Sequence, residues 1–334
     1  MTITKNRDKI PSEAHHESVL RKIPLENIPL YSKPERGILP TVATLLSLEE
    51  RLGEIRASAV NNVPKEAFFS GDELLVFIIS LGGAVSGFLQ YFVLVRRVAL
   101  FGCSRLQRVT LVLAPAAGLL LTFVVLSSYA AQEVRDDRIY FLLFLLLGAT
   151  WIFWTPSLFP ILGLSLRVDA LEGHNESAIV ALTGAILGIS ITYAGGNIGE
   201  GATIWTTIFS SALATAGLFL LWLMLEMGSR VSLAITEERD RASGWRLAGY
   251  LVGIGLILGR AVAGDWTSTR QTIKDFAVAG WPAVVLTFVA IFVEGKWQPN
   301  LRQPVPPVYM RGIFPALVYL ASVGVVLLFL GRWK

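Results

Sequence analysis

Histidine and cysteine, the side chains that most often hold metals and cofactors, are scarce in this chain of 334 residues. The three histidines are His15, His16 and His174, and the single cysteine is Cys103. None of the four lies in a long apolar segment, and none belongs to a spacing typical of zinc or haem ligands. The usual motifs of hydrolases and nucleotide-binding proteins are missing as well. The sequence therefore predicts a protein that is not an enzyme and has no metal and no cofactor.

Ionisable residues near the apolar segments are the next candidates for chemistry, because a charge inside a bilayer costs several kcal/mol and usually marks function. Four such residues, Glu226, Arg246, Arg260 and Glu294, lie at segment ends and none at a centre. We expect them to reach the lipid headgroups by snorkelling. A proton relay or coupling-ion site would need a carboxylate deeper in the bilayer, so this pattern disfavours a pump.

A glycine-rich segment brings acidic residues to two similar turns. Four glycines occur within residues 195–201, and Glu200 and Asp265 each follow a glycine after an apolar segment. With Arg260 nearby, these residues could form a polar mouth that binds a cation or a partner. The alternative is a pair of capped hairpin turns with an interfacial salt bridge, which we favour because glycine permits tight turns.

The apolar segments themselves predict the fold class. The chain is 53% hydrophobic and only 16% charged, whereas soluble domains carry about 25% charged residues. Segments of about 20 apolar residues can span a bilayer as helices, and no alternating pattern indicates membrane strands. We predict an all-α integral membrane protein with eight transmembrane helices. The predicted spans are Leu74–Val95, Val109–Ala131, Ile139–Leu166, Ala178–Ala194, Thr203–Leu225, Leu247–Gly259, Phe276–Val293 and Ile313–Leu330.

Four regions follow from these spans. Residues 1–72 form a polar tail rich in proline, with a short amphipathic helix predicted near 45–58. Residues 73–166 hold three transmembrane helices, and 167–295 hold two hairpins. Residues 296–334 hold a proline-rich connection and the last transmembrane helix.

The distribution of Lys and Arg predicts an orientation. Connections after spans 1, 3, 5 and 7 carry 12 of these residues, and connections after spans 2, 4 and 6 carry 5. The positive-inside rule then places the first group in the cytoplasm and both termini outside. Because the tail carries ten more and has no export signal, either it is translocated or one apparent span does not cross. The third span, which contains Pro156 and Pro160, is the candidate for such a break.

The two hairpins also predict an internal repeat. Shifting the chain along itself until Glu172 falls on Glu237 aligns the hairpins with seven identities over 36 positions. The alignment pairs Gly184 with Gly249 and Gly188 with Gly253, so each hairpin contains a Gly-x-x-x-Gly motif. Such motifs let helices approach closely, and we expect these four glycines to pack against helices within the molecule. Because each copy contains two spans, the predicted repeat is parallel.

The segment Glu172-Gly173-His174-Asn175-Glu176-Ser177-Ala178, which leads into the glycine-rich helix through Gly188, resembles a known family. It is similar to bacterial inner-membrane proteins grouped as domain of unknown function 350, whose repeated hairpins open in this way. The copy from Glu237 to Gly253 is more degenerate. The resemblance covers about residues 165–295, and it implies a fold module in the cell inner membrane without implying an activity.

These observations favour a non-catalytic, multi-pass membrane protein that acts as a subunit or scaffold of a bacterial envelope assembly. The alternative is a channel or transporter with a path between the two repeat hairpins. Predicted partners are membrane lipids and either other membrane subunits or further copies of the chain. The net charge of +4 does not indicate nucleic acid, because the Lys and Arg collect in the tail and at span ends.

Overall fold

The structure of the protein, a computed structural model, describes residues 70–98, 105–201, 203–299 and 307–331. Within these residues, eight helices are long and apolar enough to span a membrane, and the only β-pairing is an isolated bridge between Ala130 and Gly199. The predicted all-α fold class with eight spans is confirmed. The helices are α1 (Gly71–Val98), α2 (Arg105–Ser128), α3 (Arg138–Trp154), α4 (Glu176–Gly195), α5 (Ile204–Ser229), α6 (Arg241–Val262), α7 (Thr269–Trp297) and α8 (Phe314–Leu330).

The third span does not break at its prolines. After α3 the chain continues as a 3₁₀ helix over Thr155–Leu162, and the combined segment of 25 residues is long enough to cross. Pro156 and Pro160 lack the N–H group that an α-helical bond needs, so the tighter winding at this end is the expected response. Gly163 then ends the segment with a left-handed backbone, φ 81°.

The sixth span is longer than the sequence suggested. The uninterrupted apolar run Leu247–Gly259 is the middle of α6, which extends over 22 residues from Arg241 to Val262. Shorter helices complete the hairpin connections before α4 and α6. A π-helix covers Leu166–Glu172, and an α-helix covers Val231–Thr236.

Two helices form the centre of the bundle. α4 and α6 pack side by side and are mostly buried, whereas α1, α7 and α8 expose most of their surface. α2 packs on α4, while α7 and α8 pack on α6. Glycines and alanines along α4 and α6 allow this contact, because side chains of larger volume would hold the backbones apart.

Contacts between helix ends define the two ends of the bundle. At one end, the start of α4 meets the start of α6, and the Ser177 hydroxyl donates to the Asp240 carbonyl at 2.5 Å. At the other end, the turn after α4 meets the turn after α6, and the Glu200 N–H donates to the Asp265 carboxylate at 3.0 Å. The end of α7 lies at the first end as well, where the Gln298 side-chain amide donates to the Ser229 carbonyl at 3.1 Å.

α4 and α6 begin in the same way, at positions that the predicted repeat aligns with each other. Asn175 caps α4 by accepting from the N–H groups two and three residues later, and Asp240 caps α6 at the same two positions. Each cap follows a residue with positive φ, His174 at 49° and Arg239 at 54°. The turns that follow the two helices contain positive-φ glycines that the same alignment matches, at 199 and 264.

Several predictions fall outside the described residues. The described residues all belong to one compact unit of the chain. The tail with its amphipathic helix near 45–58 and Cys103 are among the parts not described, as are residues 300–306 of the proline-rich connection.

Candidate functional site

A pair of opposite charges is buried where α6, α7 and α8 meet. The Arg246 side chain is fully buried and the Glu294 side chain is 2% exposed. The Arg246 guanidinium donates from Nε to Glu294 Oε1 at 2.6 Å and from an Nη to Oε2 at 2.7 Å. Bidentate pairing of this kind is the strongest geometry that an arginine and a carboxylate can form.

Three further groups complete this buried charged cluster. The Ser243 hydroxyl accepts from Arg246 at 2.8 Å and lies 2.7 Å from an Asp240 carboxylate oxygen, to which it donates. That oxygen is itself 3.9 Å from the guanidinium. Arg246 also donates to the main-chain carbonyl of Arg311, at the start of the last span. The guanidinium thus connects the start of α6, the end of α7 and the segment that leads into α8.

The prediction that Arg246 and Glu294 reach the headgroups was wrong. Arg246 is five residues inside α6, which corresponds to about 8 Å at 1.5 Å per residue. Its side chain lies on the face of α6 that packs against α7 and the segment before α8, whereas the adjacent Trp245 is exposed. A partner within hydrogen-bond distance then replaces water, since leaving either charge alone in such a place would be costly.

One feature of the sequence indicates that Arg246 is buried. The apolar run Leu247–Gly259 is too short to cross a bilayer of about 30 Å. Extending the helix by one turn at its start necessarily places Arg246 inside the span. Glu294, which belongs to the next span, had no such signal and required the packing of α7 on α6.

The predicted polar mouth forms part of a hydrogen-bonded junction between connections. Glu200 accepts from the Gln132 N–H at 3.0 Å, and Asp265 accepts from the Glu200 N–H. Arg260 donates to the carbonyl of Leu330 at 3.0 Å, at the end of the last helix. Both carboxylates therefore face backbone donors, as capped turns require. An ion pair from Arg260 to either carboxylate stays a prediction.

The four predicted packing glycines all lie against neighbouring helices. A Cβ atom at Gly184 would clash with the Ala248 backbone, and one at Gly188 would lie 2.6 Å from the Leu251 carbonyl oxygen. Both contacts are made by α6. At Gly249, an added Cβ would come within 2.8 Å of the Ala316 backbone in α8.

Gly253 is the least constrained of the four. A Cβ there would meet only side chains, Val323 at 3.2 Å and Leu286 at 3.4 Å. The two Gly-x-x-x-Gly motifs therefore do not face each other. The first packs on α6, and the second packs on α7 and α8.

Nothing in the described part of the chain suggests a metal centre, because no group of three or more His, Cys, Asp or Glu residues there could hold an ion. Comparison with protein-family models, curated proteins and solved structures found no match. The resemblance of residues 165–295 to the domain of unknown function 350 therefore stays a prediction.

Proposed function

We propose that the protein is a non-catalytic subunit or scaffold of a membrane assembly. One observation carries this proposal: the hydroxyls of five residues along α4 and α5 hydrogen-bond to other groups of the bundle, namely Thr183, Ser190, Thr192, Ser211 and Thr215. The hydroxyls of Thr183 and Ser190 donate to carbonyls one turn earlier in α4, each at 2.8 Å. Thr192 and Thr215 hydrogen-bond to each other at 3.0 Å. Such internal satisfaction is what a structural helix bundle requires.

The alternative, a channel or transporter with a path between the two hairpins, has less support. A path would need a polar seam, for which Thr183, Ser190, Thr192, Ser210, Ser211 and Thr215 are the candidates. Of these six, Thr215 lines an apolar groove of about 510 Å³ between α3 and α5, whose other lining residues are mostly apolar. The seam between α4 and α6 is closed by glycine–backbone contact.

An enzyme that acts on a lipid-soluble substrate would need a cleft that converges on Glu200, Asp265 or Arg260. The backbone hydrogen bonds of the two carboxylates favour a structural role for these turns instead. A non-enzymatic role therefore agrees better with this end of the bundle.

We further propose that α4–α5 and α6–α7 are copies of one hairpin, related by an axis along the membrane normal. The matched caps and positive-φ residues support this. So does a contact between equivalent positions, because Glu176 and Arg241 are matched by the alignment and form an ion pair of 2.5 Å. In a two-fold arrangement, residues near the axis meet their own equivalents in this way. Superposition of 178–225 on 247–293 should reproduce both hairpins.

The proposed setting is the inner membrane of a bacterium, with lipids and other membrane subunits or further copies of the chain as partners. The eight apolar helices support a multi-pass protein. The narrower location rests on the family resemblance of residues 165–295.

Two measurements test the proposed function. The full chain reconstituted in vesicles should give no ion or solute flux above protein-free vesicles. Purified from its own membrane in mild detergent, it should retain a partner in fixed stoichiometry and exceed the mass of a single 36.5 kDa chain. A Gly188→Leu variant should lose that partner, because its central helix pair cannot close. Two results would overturn the proposal. One is a flux through the native chain that Gly188→Leu abolishes, and the other is a purified chain that has the mass of a single copy at every concentration.

A further inference from the structure

An apolar groove runs along the outer face of the bundle between α7 and α8. Both helices pack on α6 but scarcely contact each other, and the space between them has a volume of about 430 Å³. Trp281, Val289 and Trp297 line it from α7, and Phe314, Tyr319 and Val326 line it from α8. The charged cluster of Arg246 and Glu294 lies behind one end of this groove.

The length of the groove suits an extended hydrocarbon chain. Trp281 and Trp297 are 16 residues apart on one helix, which is about 24 Å at 1.5 Å per residue. One leaflet accounts for half of a hydrocarbon core of about 30 Å. A chain that enters at the Trp297 end can therefore remain in contact with apolar side chains through its whole leaflet.

Cations mark the Trp297 end of the groove. Lys296 is exposed beside Trp297, and Arg311 lies one turn before Phe314. Glu294 does not offset these charges, since it is buried and paired with Arg246. This end also belongs to the connections that the Lys and Arg count assigns to the cytoplasm, where the leaflet is rich in anionic lipid.

Tyr319 gives the groove an apolar wall near this end. Its side chain is 3% exposed and lines the groove, while its hydroxyl is enclosed by the protein and has no hydrogen-bond partner among the described residues. The groove therefore presents the tyrosine ring, and not the hydroxyl, to a bound hydrocarbon chain. Tyr319 is five residues beyond Phe314, about 8 Å into the groove.

We propose that this groove binds one anionic phospholipid. Lys296 and Arg311 hold its phosphate, and one acyl chain lies along α7 from Trp297 towards Trp281, against the ring of Tyr319. The site does not depend on the assembly role proposed above, because it uses a different face of the molecule.

The test uses the full chain in detergent with dioleoylphosphatidylglycerol and dioleoylphosphatidylcholine as probes. Native mass spectrometry should show one phosphatidylglycerol retained, with at least tenfold preference over phosphatidylcholine. Lys296→Gln with Arg311→Gln should weaken phosphatidylglycerol binding about thirtyfold, at about 1 kcal/mol for each cation. Arg270→Gln with Lys274→Gln, at the other end of α7, is the matched control and should leave binding unchanged.

Two further variants test the groove itself. Val289→Trp should fill it and remove the retained lipid, whereas Val278→Trp, on an exposed part of α7 outside the groove, should not. Tyr319→Phe keeps the ring that lines the groove and removes only the enclosed hydroxyl, so it should leave lipid binding unchanged. Equal retention of the two lipids, or identical behaviour of the two charge-removal variants, would overturn the proposal. Dimers that only Val289→Trp dissociates would assign the groove to a second copy of the chain instead.

Discussion

α4 and α6 start with the same capping geometry, but only α6 continues into a buried charged cluster. In the alignment of the two hairpins, Ala181 and Ser229 occupy the positions that match Arg246 and Glu294. The Ser229 hydroxyl donates to the Leu225 carbonyl of its own helix at 2.7 Å, so this side-chain hydrogen bond does not link α5 to a neighbouring helix. The first hairpin is therefore held by close backbone packing, and the second by a neutral pair of charges.

Glycine packing and a buried ion pair have different structural effects. Glycine contacts let α4 and α6 approach, but they do not select one arrangement of outer helices. The guanidinium of Arg246 has a fixed fork of donors, and it bonds to Glu294 in α7 and to the carbonyl of Arg311 before α8. We therefore expect the charged pair to fix the positions of α7 and α8 more than it raises stability.

Removing one charge from this pair should have the largest effect on the molecule. Glu294→Leu removes the bidentate counter-ion of the buried Arg246 and leaves only the Asp240 carboxylate, 3.9 Å away. We expect a loss of about 3–5 kcal/mol in the free energy of unfolding. The double variant Arg246→Met with Glu294→Leu should recover most of that loss, because both charges are then replaced by apolar groups. Denaturation with sodium dodecyl sulfate measures both.

The equivalent position in the first hairpin provides the control for that prediction. Ser229→Ala should stay within about 0.5 kcal/mol of the native chain, because no charge is left unpaired. A double variant as unstable as Glu294→Leu alone would show that the pair itself stabilises the fold, contrary to the role argued above.

The charged pair also shows where prediction from the sequence ends. The spans could be predicted because a bilayer requires a length of apolar helix, whatever the helix packs against. Whether Arg246 points to lipid headgroups or inwards depends on α6 being central, which the order of residues does not state. The alignment pairs Asn175 with Asp240, but their shared capping role required the backbone geometry at each helix start.

A second prediction separates two glycines that the sequence makes equivalent. Gly188→Leu should destabilise the fold by about 3 kcal/mol, because its side chain would meet the Leu251 carbonyl of α6. Gly253→Leu should cost about 1 kcal/mol, since Val323 and Leu286 side chains can adjust. Thermal denaturation in mild detergent compares them. Equal losses would show that α8 is held as rigidly as the central pair.

The caps provide a third and smaller comparison. Asn175→Ala should cost about 1 kcal/mol through loss of the acceptor for the first N–H groups of α4. Asp240→Ala should cost more, about 2 kcal/mol, because the acceptor for the Ser243 hydroxyl is lost with the cap. Asp240→Asn keeps a capping oxygen, so its loss of stability should be smaller than that of either alanine variant. If Asp240→Ala were the milder of the two alanine variants, the carboxylate would not support the charged cluster.

The smallest effect should come from the other ion pair at the same end of the bundle. Glu176 and Arg241 lie 2.5 Å apart at the first positions of α4 and α6, with side chains that are 49% and 61% exposed. Water solvates both charges when the pair is broken, so Glu176→Gln or Arg241→Gln should cost less than about 1 kcal/mol. Exchanging the two residues, Glu176→Arg with Arg241→Glu, should restore the native stability.

At about 1 M salt the screening length falls to about 3 Å, so any coupling between Glu176 and Arg241 should vanish. The coupling between Arg246 and Glu294 should persist there, because burial excludes the screening ions. Equal salt sensitivity of the two pairs would mean that ions and water reach Arg246, and the two hairpins would then differ in charge but not in burial.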